Sequence, residues 1–353
     1  MTDTLEKIGD ISSLYMDELT ELCVSENWPR FRAGQIFGWL HEKRVSSADE
    51  MTNVPKAIRE KLAPYLRVPE EETRLTSKDG TVKHLFRMYD GQMIETVYMP
   101  YSYGNSVCIS SQAGCAMGCA FCASTIGGCV RNLTAGEMLG QVYQAAELAG
   151  VVDKSGTPPR ISNIVVMGTG EPMQNYDNLI RFIRLISDEH GYNLSTRGIT
   201  VSTCGIVENI RRLAGEGLPV TLALSLHAPN DELRRTIMPV ANRYTIAETL
   251  DACSYYFNTT GRRISIEYSL MRDVNDSSEC AGELGALLKN RGFHVNLIPI
   301  NPVFERDFTR SPEADTLAFK KKLEKYGINV TIRKGMGRDI DAACGQLRRK
   351  YEA

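Results

Sequence analysis

Gly114-Cys-Ala-Met-Gly-Cys-Ala-Phe-Cys-Ala-Ser124 carries three cysteines, Cys115, Cys119 and Cys122, in a Cys-x-x-x-Cys-x-x-Cys run. Three thiolates so placed can hold three corners of an iron–sulfur cube, whereas an ordinary 4Fe-4S cluster takes four cysteines. One iron is then left open to a small molecule that binds through its own oxygen and nitrogen atoms. A zinc knob could recruit Cys108 or Cys129 as a fourth ligand. Structural zinc sites, however, usually draw on two Cys-x-x-Cys or Cys/His pairs far apart in sequence. The cluster is the better reading, ahead of zinc and ahead of three unliganded core thiols.

Outward from this loop, short Val- and Ile-rich runs alternate with amphipathic stretches of helix length, the rhythm of a parallel sheet with crossover helices. The runs are Val107–Ser110, Ile161–Met167, Gly198–Ser202, Val220–Leu226, Ile264–Leu270 and Val295–Ile300, with a further candidate at Asn329–Arg333. Thr134-x-x-Glu137 is a capping box that opens a helix ending before Gly150. Ser311-Pro312 reads as a capping hydroxyl with proline at the first helical position. Six strand–helix units predict an α/β fold built on a partial (β/α)6 barrel rather than an open doubly wound sheet. Barrel enzymes carry their chemistry at the carboxyl ends of the strands, and the polar motifs fall there. The cysteine loop follows the first strand and Gly168-Thr-Gly-Glu-Pro172 the second; Ser202, then Ser225-Leu226-His227, then Asn301 close later ones.

Upstream, apolar residues at Leu19, Leu22, Cys23, Ile36, Phe37 and Leu40 predict a small helical module, with breakers at Pro29 and Pro55. Asp79-Gly80 and Asp90-Gly91 mark hairpins. The expected division is a helical accessory domain over 1–70, a β-rich connecting segment over 71–105, the barrel over 106–335 and a C-terminal segment over 336–353. Ten cysteines without an apolar leader predict a reducing, cytoplasmic setting, and no apolar run reaches the roughly 20 residues that span a bilayer. A net charge of −2 neither requires nor excludes nucleic acid. Basic clusters such as Arg262-Arg263 and Arg333-Lys334 are individually ordinary solvated surface.

Gly168-x-Gly170-Glu171 lacks the third glycine of a dinucleotide fingerprint, so its glycines are read as admitting a ligand close to backbone. Ser202, Ser225, His227 and Asn301 offer uncharged hydrogen-bonding groups that suit a carboxylate and ribose hydroxyls. Cys344 and Cys108 read by default as buried thiols, and Glu95 as a solvent-facing strand residue. Cys129 and Cys204 read as spare thiols.

The cysteine spacing resembles the signature of radical S-adenosylmethionine (SAM) enzymes. Nearly the whole chain resembles the RlmN/Cfr family of radical SAM adenosine methyltransferases, through Ile94-Glu-Thr-Val97, Val107-Cys-Ile-Ser-Ser-Gln112, Arg131-Asn-Leu133, Gly170-Glu-Pro172, Ser225-Leu-His-Ala-Pro229, Asn296-Leu-Ile-Pro299 and Asp339-Ile-Asp-Ala-Ala-Cys-Gly-Gln-Leu347. The resemblance implies a 4Fe-4S cluster on Cys115, Cys119 and Cys122, with SAM on the open iron. It implies SAM contacts from Gly170, Glu171, Ser202, Ser225, Leu226, His227 and Asn301. It also implies two SAM per turnover, one to methylate Cys344 and one to make the radical that activates that methyl group. C2 of adenine is electron-poor and cannot attack a methyl cation donor directly, so a radical route removes the obstacle. By the same resemblance Glu95 takes the C2 proton, and Cys108 releases the product by forming a Cys108–Cys344 disulfide.

The implied substrates are an adenosine in the peptidyl transferase region of 23S rRNA and one in the tRNA anticodon loop, reached by extruding the base or using an unpaired loop. Flavodoxin or ferredoxin would supply electrons, and a monomer with no membrane attachment is the expectation. Gly170-Glu-Pro172 and Asn175-Tyr-Asp177 resemble the C2 branch more than the Cfr-like branch that methylates C8. A rival from another class is a non-catalytic RNA-binding protein stabilised by zinc.

Overall fold

The structure, a computed structural model, describes residues 4–150, 160–333, 335–340, 347 and 351. Four short helices come first: α1 (Thr4–Ile8), α2 (Met16–Ser25), α3 (Arg32–Phe37) and α4 (Lys56–Leu62). The i, i+3, i+4 spacing buries Leu19, Leu22 and Cys23 on α2 and Ala33, Ile36 and Phe37 on α3.

Strands β1 (Glu70–Thr76), β2 (Val82–Arg87), β3 (Met93–Tyr101) and β4 (Gly104–Ile109) then form an antiparallel meander. Its first two turns are the Asp-Gly pairs: Asp79 Oδ1 accepts from the Thr81 N–H at 2.9 Å, and Gly80 takes a φ of +84° that an L side chain resists. The third turn, between Tyr101 and Gly104, joins the meander to the strand that precedes the cysteine loop. The β-rich segment is therefore continuous with the main sheet instead of standing between two units.

After β4 come a two-stranded ribbon, β5 (Gln112–Gly114) with β6 (Cys129–Asn132), and then α5 (Ala135–Leu148). Thr134 caps α5 as its sequence predicts: the Glu137 N–H donates to Thr134 Oγ1 at 3.0 Å, and the Thr134 N–H donates back to Glu137 at 2.9 Å. The alternation continues as β7 (Ile161–Val166), α6 (Tyr176–Ile186), β8 (Ile199–Thr203), α7 (Val207–Ala214), β9 (Thr221–Ser225), α8 (Asp231–Ile237), α9 (Ile246–Thr260), β10 (Ile264–Leu270), α10 (Ser278–Leu288), β11 (His294–Pro299), α11 (Glu313–Glu324) and β12 (Asn329–Ile332). At α11 the expectation needs correction. Pro312 occupies the capping position, and the Ser311 hydroxyl is drawn away to donate to Asp276 Oδ2 at 2.6 Å.

The large sheet runs β1-β2-β3-β4-β7-β8-β9-β10-β11-β12, parallel from β4 onward. Each crossover advances to the next strand in one direction. A doubly wound sheet would reverse its order at a switch point; this one does not, so it is wound in the barrel manner, with helices on one face and side chains converging on the other. β10 shows the division of faces. Ile264, Ile266, Tyr268 and Leu270 join the apolar core, while Glu267 and Ser269 line the interior cavity.

Beyond β12 the chain crosses to the β1–β2 turn, where the Gly337 N–H donates to Asp79 Oδ2 at 2.9 Å and Asp339 accepts from Ser77 Oγ and, at 3.2 Å, from the Lys78 N–H. Cys344 lies outside the described residues. No described helix is long and apolar enough to cross a membrane.

Candidate active site

The cysteine loop is held at both ends. The Cys115 N–H donates to the Gly128 carbonyl at 2.9 Å, and Thr125 Oγ1 donates to the carbonyls of Cys122 (2.9 Å) and Cys119 (3.2 Å). Gly114, at a φ of +86°, brings the two arms together so closely that a Cβ there would run into the Gly128 oxygen. From below, the Ala120 N–H donates to the Ile237 carbonyl at the end of α8, at 2.9 Å.

Cys115 and Cys119 are buried and Cys122 is half-buried. Burial pushes the Cys115 thiol up to about 12 and raises Cys119 as well, so only a positive centre among them would hold them as thiolates. Among the described residues, no three His, Cys, Asp or Glu side chains are grouped to hold one ion. A mononuclear zinc site needs four such ligands. A cube is different, because each of its thiolates takes a separate iron, and a donor set of three sulfurs with no carboxylate suits iron–sulfur chemistry. The residues present fit a 4Fe-4S cluster.

Beside the loop opens a cavity of about 480 Å3. Cys122 and Phe121 reach it from the loop, Cys108 from β4, Ser202 and Ser225 from β8 and β9, and His227 and Asn301 from the turns after β9 and β11. The structure thus brings six of the residues picked out in the sequence around one cavity. The Ser202 and Ser225 hydroxyls lie 3.4 Å apart.

His227 adopts a φ of +58°, costly for a residue with a Cβ. It is kept there by two bonds, one from β10 and one from the loop that follows it. The Ser269 N–H donates to its Nδ1 at 2.9 Å, and Asn275 Nδ2 donates to its carbonyl at 2.8 Å. Burial, helped by the charge of Arg234, takes its pKa down to about 3. With Nδ1 accepting, the neutral ring carries its proton on Nε2 as a donor.

Other picks lie elsewhere. Leu226 packs in the apolar core. Gly170, at a φ of +110°, lies against Gln112, whose backbone nitrogen would be 2.8 Å from a Cβ there. The Glu171 carboxylate is buried and accepts from the N–H groups of Met173 (3.0 Å) and Cys204 (2.8 Å), so it ties the end of β7 to the end of β8; burial raises its pKa. Glu95 is not solvent-facing. It sits on the same face of β3 as Val97 and Met99, two residues from the Val97 that pairs with Cys108, and forms an ion pair with the buried Lys83 at 3.0 Å. No disulfide joins two described residues; the expected Cys108 bond would end on Cys344.

Sequence reasoning missed Glu267, a buried carboxylate on the cavity wall that accepts from Ser265 Oγ (2.6 Å) and Asn296 Nδ2 (2.8 Å) and is raised by burial. The alternation Ile264-Ser-Ile-Glu-Tyr-Ser-Leu270 marked it, since polar residues on one face of a buried strand must look inward. Arg310 and Arg333 also line the cavity, giving it charge that suits an anionic ligand.

The family model of the radical SAM superfamily matches residues 109–280, and that of the ribosomal RNA large subunit methyltransferase N-terminal domain matches residues 10–68. The chain is 55% identical to a probable dual-specificity RNA methyltransferase RlmN of Lachnoclostridium phytofermentans, with 99% of this chain and 97% of that protein covered. A relative of the same description from Lachnospira eligens is 54% identical, with 97% and 96% covered. The chain belongs to the RlmN family of radical SAM RNA methyltransferases. Its fold is close to the crystal structure of a radical SAM methyltransferase from Sphaerobacter thermophilus, with a TM-score of 0.90 and 45% identity over 96% of this chain and 98% of that one. Enzymes of this kind use a 4Fe-4S cluster and SAM, the group that the cysteine loop fits.

Proposed function

We propose that this chain methylates C2 of adenosine in 23S rRNA and in the tRNA anticodon loop, with Cys115, Cys119 and Cys122 holding the cluster and Cys344 carrying the methyl group. The observation that carries this reading is the shared cavity: a cluster thiol, Cys122, and a second thiol, Cys108, face one space of about 480 Å3. When bound, the cluster and SAM supply a methyl group for transfer to sulfur and a radical that activates it.

The chain's own residues do the rest. Ser202, Ser225, Asn301 and the Nε2–H of His227 orient SAM with neutral donors that need no protonation change near pH 7. Arg310 and Arg333 draw the RNA backbone to the cavity mouth. Glu95 takes the proton from C2 of the base. Cys108 attacks the Cys344 sulfur, so that a Cys108–Cys344 disulfide forms as the sulfur–carbon bond to RNA breaks; an external reductant restores both thiols. The electron donor is a small flavin or iron–sulfur protein, and the chain works as a monomer in the cytoplasm.

Replacing the releasing thiol tests the scheme. Cys108→Ala should accumulate RNA covalently linked to the chain, seen as a shifted band on a denaturing gel, and Cys344→Ala should accumulate none. Absence of the adduct with Cys108→Ala would require another releasing group. Mass spectrometry of the digested RNA separates C2 from C8 methylation, and the RlmN description of the relatives favours C2 over the Cfr-like product.

A further inference from the structure

Arg234, on α8, is one of the largest wholly buried side chains of the protein. Buried arginines are nearly always paired with an acid, yet this one meets only backbone oxygen. Its Nε donates to the Leu226 carbonyl at 3.2 Å, and its Nη2 donates to the carbonyls of Cys204 (2.6 Å) and Ser225 (3.3 Å). Its Nη1 is buried with no hydrogen-bond partner. Asp231, one turn earlier on α8, accepts instead from the Ile246 N–H at 2.8 Å. A whole positive charge is thus enclosed with a donor left over.

What lies beside it is the cysteine loop. The helix that carries Arg234 ends at Ile237, whose carbonyl receives the Ala120 N–H, within the Cys119–Cys122 stretch. Cys204, whose carbonyl takes the shortest of the arginine's bonds, has its Sγ 3.3 Å from Met117 Sδ and packs in one apolar cluster with Cys119. Three thiolates on a resting cube leave net negative charge, and reduction adds one more, beside the buried Cys115 and Cys119. Among the described residues the other fully buried cation, Lys83, is taken up by Glu95, and Asp231, whose charge reaches the arginine, is only half-buried and bonds to Ile246 instead.

We infer that Arg234 is the counter-cation of the cluster, a positioning residue whose charge sets how readily the cube accepts an electron. This rests on the reading that Cys115, Cys119 and Cys122 hold that cube. A neighbouring positive charge stabilises the more negative, reduced state, so its removal makes the cluster harder to reduce. The carbonyl bonds have a separate task, clamping the ends of β8 and β9.

The test is a redox titration, followed by visible absorption and electron paramagnetic resonance, of full-length protein reconstituted without oxygen, as parent, Arg234→Lys and Arg234→Gln, with iron content and thermal midpoint measured for each. Arg234→Gln should lower the equilibrium constant for reduction about tenfold, which is about 59 mV for one electron. Arg234→Lys, which keeps the charge and loses the fork, should stay within about threefold of the parent. Should the glutamine variant fail to take up iron, uptake by the lysine variant supports the inference, and failure of both overturns it. It is also overturned if the glutamine variant loads fully with the parent's potential, or if both variants shift alike. A parent chain that binds no iron would overturn the reading of the cysteine loop itself, and this inference with it.

Discussion

Lys83 and Glu95 form an ion pair shielded from solvent, Nζ to Oε2 3.0 Å. Breaking such a pair by removing one partner is far more damaging than replacing both with apolar groups. Glu95→Gln should therefore destabilise the fold by about 3–5 kcal/mol, and Lys83→Met combined with Glu95→Leu should recover most of that loss in urea unfolding. Equal destabilisation by the single and double variants would contradict the account. The burial of Glu95 was not legible in Ile94-Glu-Thr-Val97, because strand alternation shows that two faces differ but not that both are covered. Here Thr96 Oγ1 reaches across to Gln141 of α5 at 2.9 Å, while Val97 and Met99 line the cavity. The cluster cysteines were legible for the opposite reason: their chemistry resides in spacing along a single loop, and no partner from a distant strand is needed to recognise it.

Among the elements, the contact of the N-terminal helices with α5 carries a titration. Asp10, just before a short turn of helix, accepts from Ser13 Oγ at 3.0 Å and from Thr134 Oγ1, the hydroxyl that also caps α5. Burial pushes its carboxyl up from 3.8 to about 6, against the opposing hydrogen bonds. The folded state then binds a proton that the unfolded chain has released, so this contribution is complete below pH 3.8 and is lost as pH rises through 6. Asp10→Asn, unable to ionise, should gain in thermal midpoint relative to the parent between about pH 4.5 and 7.5. A difference that stays constant over that range would contradict the shift. At this scale the sequence shows caps better than contacts. Thr134-x-x-Glu137 was readable as a local box, whereas Ser311 gave up its expected cap to Asp276, thirty-five positions away in the chain, and Arg234 gave no sign that its partners would be carbonyls.

For the whole molecule, the direction of winding matters most. The order of strands from β4 to β12 never reverses, which gathers the ends of β7 to β12 and the cysteine loop around one cavity. That arrangement was legible because polar motifs fell repeatedly after apolar runs. The continuity of the first three strands with the same sheet was not, since edge pairing leaves no local mark. If Arg310 and Arg333 guide RNA to this cavity, affinity for an RNA fragment should fall steeply between about 50 and 200 mM salt, and a flat titration would place the RNA elsewhere. The account stands on the cysteine loop, and its most direct measurement is iron and sulfide per chain after oxygen-free reconstitution. The parent should hold about four of each, and Cys115→Ala, Cys119→Ala or Cys122→Ala should each lose most of them. A parent that retains neither, or a cysteine variant that loads as the parent does, would contradict it.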